Sequence, residues 1–164
     1  MKILVLGGNR FFGIHLVERL LAEGGQVTLL NRGLSGDPYE DRVQRVICDR
    51  ADGPAMKAAL KGRCYDVVFD NIAYASKDVK AVLEAVETGR YVLTSSVSAY
   101  PRSRLEQPES DFDPWVYPLR WVNRKDVDYG EGKRQGESAL FQRFADISAV
   151  AVRFPYVVGP NDYT

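Results

Sequence analysis

The sequence of 164 residues lacks several things that would narrow its role at once. It holds one histidine and two cysteines, Cys48 and Cys64, outside any metal-ligand spacing. Neither a metal centre nor a disulfide framework is expected, and both thiols are expected as small buried hydrophobes in a reducing compartment. There is no excess charge either. Lys and Arg number 22 and Asp and Glu 22, so no net field draws the chain to nucleic acid or to an anionic membrane. Long apolar runs are missing. No stretch nears the roughly 18 apolar residues of a membrane span, and in MKILVLGG the glycines stop the opening run well before it reaches the length of a signal-peptide core. Internal repeats and low-complexity tracts are also lacking. With 45% apolar and 27% charged residues, the composition belongs to one ordered, soluble, cytoplasmic domain rather than to a disordered chain.

What is present is alternation. KILVL (2–6) reads as a buried strand, and Phe12 to Glu23 as an amphipathic helix ended by Gly24-Gly25. QVTLLN (26–31) is a second strand and RVQRVI (42–47) a third. Pro54 to Lys61 follows as a short helix with proline in its first turn, then DVVFD (66–70) as a fourth strand. Lys77 to Glu87 is a helix, RYVLTS (90–95) a fifth strand, Asp128 to Ala145 the longest helix and ISAVAVRF (147–154) a sixth strand. Strands that alternate with helices, several of them apolar throughout, predict an α/β fold: a doubly wound, Rossmann-type parallel sheet in three α/β/α layers. Residues 101–127 break the rhythm with their prolines, charges and both tryptophans. An excursion of that length is either a solvated surface loop or, given Trp115 and Trp121, a wall of a binding site.

The stretch VLGGNRFFG (5–13) sets Gly7, Arg10 and Gly13 in a G-x-x-G-x-x-G spacing, with Gly8 as an extra glycine and Asn9, Phe11 and Phe12 between. Strand, glycine turn and helix in that order form a phosphate cradle, because the helix N-terminus offers free N–H groups and a positive dipole to a pyrophosphate. A plain strand–helix turn without ligand is the alternative. After the second strand, an NAD site usually carries an acid for the ribose 2′-hydroxyl; here stand Asn31 and Arg32. The missing carboxylate, with Arg32 and Arg10 to clasp a 2′-phosphate, favours NADP over NAD. The two arginines are otherwise solvated surface residues.

TSSVSAY (94–100) leaves the fifth strand with hydroxyls at its C-terminal end, where open α/β sheets bind ligands. YGEGK (129–133) puts Tyr129 and Lys133 four residues apart on one helical face. An ammonium beside a phenol lowers its pKa, so this pair is expected to exchange a proton with a substrate hydroxyl or carbonyl, while Ser96 bonds the same oxygen. His15 has no companion ligand and reads as a surface or capping residue. Asp70 and Asn71 close the fourth strand, either near the cofactor or as backbone supports, and Asp111 and Asp113 read as solvated loop acids.

With VLGGNRFFG, DVVFDNIAY (66–74), TSSVSAY, YGEGK and RFPYVVGP (153–160) in this order, the chain resembles the short-chain dehydrogenase/reductase superfamily, within its NAD-dependent epimerase/dehydratase branch. The resemblance implies Ser96, Tyr129 and Lys133 as catalytic residues, with Lys133 also holding the nicotinamide ribose. It implies a cofactor site from the glycine turn, Asn31, Arg32, Asp49 on the adenine side with Arg50 beside it, Ala73 and Tyr74, Thr94 and Ser95, and Pro155, Tyr156 and Val157. It further implies hydride transfer at a hydroxyl or carbonyl carbon of a small molecule, a nucleotide sugar being the family's commonest substrate. Two departures stand out. Arg10 replaces the middle glycine, as in an atypical subgroup beginning G-G-x-R-F-x-G, some of whose members resemble chloroplast RNA-associated proteins; a non-catalytic dinucleotide sensor or RNA-associated scaffold is therefore the alternative. Family members also usually continue past the G-P after the sixth strand, so a cofactor domain lacking most of its substrate-binding region, weak in isolation and prone to self-association as a homo-oligomer, is expected.

Overall fold

A computed structural model describes residues 1–101, 105–160 and 162; of the segment read as irregular over 101–127, only 102–104 lie outside them. The elements run β1 (Lys2–Leu6), α1 (Phe12–Ala22), β2 (Gln26–Asn31), β3 (Gln44–Ile47), α2 (Gly53–Leu60), β4 (Cys64–Asp70), α3 (Ser76–Leu83), β5 (Glu87–Ser96), α4 (Tyr129–Arg143) and β6 (Ser148–Phe154). All six strands are parallel, in the order β3-β2-β1-β4-β5-β6. The chain moves outward from β1 to β3, then crosses back to β4 and moves outward the other way. That reversal opens a crevice at the C-terminal ends of β1 and β4, the place where such sheets take ligands. The doubly wound reading of the sequence is thus the fold observed.

Two cores flank the sheet. On one face Leu4, Leu6, Leu30, Val68, Tyr91 and Leu93 pack under α2, α3 and α4; on the other Ile3, Val5, Val27 and Leu29 pack under Val17 and Leu20 of α1. β1 sits at the centre and is buried on both faces, which is why its sequence is an unbroken apolar run. β6 is one edge strand and β3 the other. At β6, Ala149 and Ala151 face the larger core, whereas Val150 and Phe154 on the opposite face remain exposed.

Some boundaries differ from the sequence reading. Helix α3 ends at Leu83 rather than Glu87, and β5 starts at Glu87, three residues ahead of the expected Arg90. The sequence ETGR looks like a helix end and a turn, but Cys64 and Tyr65 of β4 pair with Glu87 and Thr88 and draw these residues into the ladder. Cys48 is buried as expected; Cys64 is exposed, at the outer end of β4, with its thiol 3.2 Å from Glu87 Oε2. Among the described residues no helix is long and apolar enough to cross a membrane.

Candidate active site

The glycine turn closes β1 onto α1. Gly7 has φ +78°, and a Cβ on Gly13 would lie 2.2 Å from the Gly7 carbonyl oxygen, so helix and strand approach here as only glycine permits. Phe11 at the N-cap has φ 47° and ψ −132°, a strained pairing for a residue with a side chain. No side chain caps α1 and no acid occupies its first turn, which leaves the dipole's positive end open to an anion. Two groups hold the turn from behind. Asn71 Nδ2 donates to the Gly7 carbonyl (3.3 Å), and the buried Tyr39 hydroxyl donates to that of Gly8 (2.6 Å). Tyr39 was not singled out in the sequence, for it lies in a stretch with no periodic pattern; its only signal is a large aromatic between charged residues.

Around the rim stand the residues that followed β2. Asn31 Oδ1 accepts from the Gly33 amide (2.8 Å), Arg32 is exposed, and Arg10 Nη2 donates to Ser35 Oγ (2.6 Å). The Arg10 side chain is therefore directed to the loop after β2, the loop that carries Arg32, rather than into the turn. Asp49 is exposed and accepts from the Ala51 amide (2.9 Å).

Across the crevice α4 carries Tyr129 and Lys133. Asp128 starts the helix by accepting from the Glu131 amide (2.9 Å), and Gly132 lies against the Tyr74 carbonyl, which lets α4 press onto the β4 end. Lys133 is 3% exposed. Its Nζ donates to the carbonyls of Ala73 (2.7 Å) and Thr94 (2.8 Å) and sits 5.2 Å and 5.5 Å from the rings of Tyr74 and Tyr129. Burial pulls this ammonium down to about 8. The Tyr129 ring packs edge-on against Tyr74 at 5.4 Å and is 45% exposed. Burial pushes its phenol up, the hydrogen bond with Ser96 pulls it back, and Tyr74 adds a smaller push upward. The expected lowering of the phenol is therefore not what this arrangement produces, because burial outweighs the Ser96 hydrogen bond. Ser96 Oγ also accepts from the Ser98 amide (3.1 Å).

Not every residue named from the sequence faces the crevice. Arg50 turns inward and forms a two-bond ion pair with Asp70 (2.7 and 3.0 Å), and Ser95 is buried with its hydroxyl donating to Glu137. Asp70 thereby proves a support, and Asn71 bridges the Gly7 carbonyl and the Thr94 hydroxyl. Thr94 contributes its carbonyl to Lys133. Beyond β6, Pro155 and Tyr156 are exposed and Val157 half-buried. His15 is exposed. In the long segment, Trp115 packs on Phe141 of α4 (5.3 Å) and Trp121 lies under Lys80 of α3 (4.9 Å). These contacts brace α4 and α3. A buried carboxylate that the sequence reading passed over, Glu137, clamps Arg153 of β6 (2.8 Å) and fixes α4 to the sheet edge.

The arrangement puts an anion-ready helix end and a tyrosine–serine–lysine group on two sides of one crevice. The model of the NAD dependent epimerase/dehydratase family matches residues 3–164, and the chain belongs to that family. Among curated relatives it is 30% identical, over 99% of its length and 43% of the other's, to the chloroplast stem-loop binding protein of 41 kDa b of Arabidopsis thaliana. It is 28% identical to the 2-alkyl-3-oxoalkanoate reductase of Stenotrophomonas maltophilia, over 99% of this chain and 52% of that one. A solved structure of UDP-glucose 4-epimerase with UDP-glucose from Thermotoga maritima superposes with a TM-score of 0.74 at 22% identity, covering 98% of this chain and 57% of that one. The chain spans about half the length of the curated relatives it matches.

Proposed function

We propose that residues 1–164 form the coenzyme-binding domain of an oxidoreductase or epimerase that prefers NADP to NAD, acts on a hydroxyl or carbonyl carbon of a small molecule such as a nucleotide sugar, and uses Tyr129 as its acid/base. The observation that carries this reading is Lys133, held between the Ala73 and Thr94 carbonyls with the Tyr129 ring 5.5 Å away, at the strand ends that face the glycine turn. A bound nicotinamide would supply the hydride acceptor or donor. The glycine turn and the α1 N-terminus would hold its pyrophosphate, with Asn31, Arg32 and Arg10 toward the adenosine ribose. Ser96 orients the phenol, and Lys133 is placed to favour phenolate once a ligand loosens its carbonyl bonds.

Calorimetric titration with NADP and NAD tests the first part; heat from neither overturns it. Tyr129→Phe is expected to lower turnover of a nucleotide sugar or keto substrate by about 10²-fold or more, with coenzyme affinity unchanged; retained turnover overturns Tyr129's role. Exposed Val150, Phe154, Tyr156 and Val158 support self-association of the chain, read by light scattering, where a monomer at high concentration counts against it.

A second reading is a non-catalytic, RNA-associated scaffold, favoured by the 30% identity to a stem-loop binding protein. The balanced charge weighs against it, since RNA affinity rests largely on phosphate neutralisation. A gel shift with stem-loop RNA, repeated at rising salt, separates the two.

A further inference from the structure

Behind Lys133 lies a group of buried charges that the proposed reaction does not use. Arg50, in the turn after β3, has a side chain only 12% exposed and binds the fully buried Asp70 at the end of β4 through Nη1–Oδ1 (2.7 Å) and Nη2–Oδ2 (3.0 Å). Its Nη2 also donates to the Asp78 carbonyl (3.0 Å), and its Nε stands 3.7 Å from Asp78 Oδ1. Tyr91 of β5 donates its hydroxyl to Asp70 Oδ2 (2.6 Å).

The two carboxylates held by Arg50 in turn shape the segment between β4 and α3. Asp70 Oδ1 accepts from the Ile72 amide (3.2 Å), and Asp78 Oδ2 accepts from the amides of Tyr74 (2.8 Å) and Ala75 (3.1 Å). Between these anchors sits Ala73, whose carbonyl takes Lys133 Nζ. The other acceptor, the Thr94 carbonyl, follows directly on Leu93, the register partner of Asp70. Buried ion pairs of this kind commonly contribute no more stability than apolar side chains of equal volume, so cohesion alone gives little reason for charge here.

We propose that Arg50, Asp70 and Asp78 are positioning residues for Lys133: together they fix the Ala73 carbonyl that holds its ammonium and balance the charge around it. The groups facing Lys133 are Asp70 from β4, Arg50 from the turn after β3, Asp78 from α3, Glu137 from its own helix, and the rings of Tyr74 and Tyr129. Burial pulls the ammonium down; Asp70, Asp78 and Glu137 push it up and Arg50 pushes it down. The meaning of this for catalysis rests on the role proposed above for Lys133, but the charge balance itself does not.

The test is the titration of Lys133 in the isotope-labelled chain, followed by NMR of lysine Cε and Nζ, with its signal assigned by absence in Lys133→Arg. Arg50→Met is expected to raise the midpoint by about 1 pH unit, Asp70→Asn and Asp78→Asn to lower it by a similar amount, and Arg50→Lys to leave it nearly in place. Opposite signs are the signature, because a purely structural pair would shift Lys133 the same way from either side. Asp78→Asn keeps an acceptor oxygen for the Tyr74 and Ala75 amides, so it reports even where the buried-pair variants fail to fold. An unmoved midpoint in Asp78→Asn, or shifts of one sign in Arg50→Met and Asp70→Asn, overturns the proposal. Absence of coenzyme binding by the unaltered chain would instead strike the function proposed above.

Discussion

Arg10 donates from Nη2 to the Ser35 hydroxyl at 2.6 Å, tying the glycine turn to the loop that follows β2. That loop begins with the exposed Arg32 directly after Asn31, and neither position carries a carboxylate to repel a phosphate. A charge-assisted hydrogen bond contributes about 1.5–3 kcal/mol. Arg32→Ala and Arg10→Ala are therefore expected to weaken NADP binding by about tenfold or more each, while NAD binding changes little. Calorimetric affinities for both coenzymes check this, and an equal loss for the two would remove the 2′-phosphate from the account.

Gly13→Ala places a methyl 2.2 Å from the Gly7 carbonyl oxygen and 3.2 Å from Gly8 Cα, both backbone atoms with no room to retreat. Overpacking of this sort costs about 1–3 kcal/mol. Loss of stability in urea denaturation and loss of coenzyme binding are expected together. Gly53→Ala, with nothing within 4 Å of the added Cβ, is the control and is expected to leave both within error.

Glu131 anchors the segment before α4. It accepts from the Tyr117 hydroxyl (2.7 Å), Gln135 Nε2 (2.9 Å), Arg134 Nε (2.9 Å) and Arg120. Burial alone would raise this carboxyl, but the four donors outweigh it and hold it at about 2, against 4.5 for a free glutamate. Because the folded value is the lower one, the stabilisation is complete above pH 4.5 and is lost as pH falls toward 2. Glu131→Gln is expected to cost on the order of 2 kcal/mol at pH 7 and to flatten the decline of stability in acid. Urea midpoints at pH 7 and pH 3 would show it as a smaller difference between variant and parent at the lower pH.

Lys133 gives the opposite limb. Its ammonium sits at about 8 in the fold and 10.5 when free. Between those values the unfolded chain keeps the proton and the folded chain has released it, so stability rises with pH across that window. In Lys133→Met this rise is expected to vanish, which urea midpoints at pH 7.5 and 10.5 measure.

Much of this molecule was legible in the chain itself. The apolar run Ile3–Leu6 before a glycine turn reads as the buried central strand, and the alternation that follows points to a parallel sheet, since parallel strands need crossovers and most crossovers here are helices. The spacing of Tyr129 and Lys133 set them on one helical face without any structure. Tertiary contacts decided what spacing has no access to. Arg50 is expected in the coenzyme site beside Asp49, yet it is drawn inward by Asp70, a partner twenty positions on that only strand pairing brings near. Tyr39 reads as loop, yet its hydroxyl braces the phosphate turn thirty-one positions back. The pKa of Tyr129 likewise turned on burial and on the Ser96 hydroxyl and Tyr74 ring that the fold sets beside it. Periodicity records which face of an element is wet or dry; it carries no record of which distant polar group a buried charge meets, and that meeting is what sets the chemistry here.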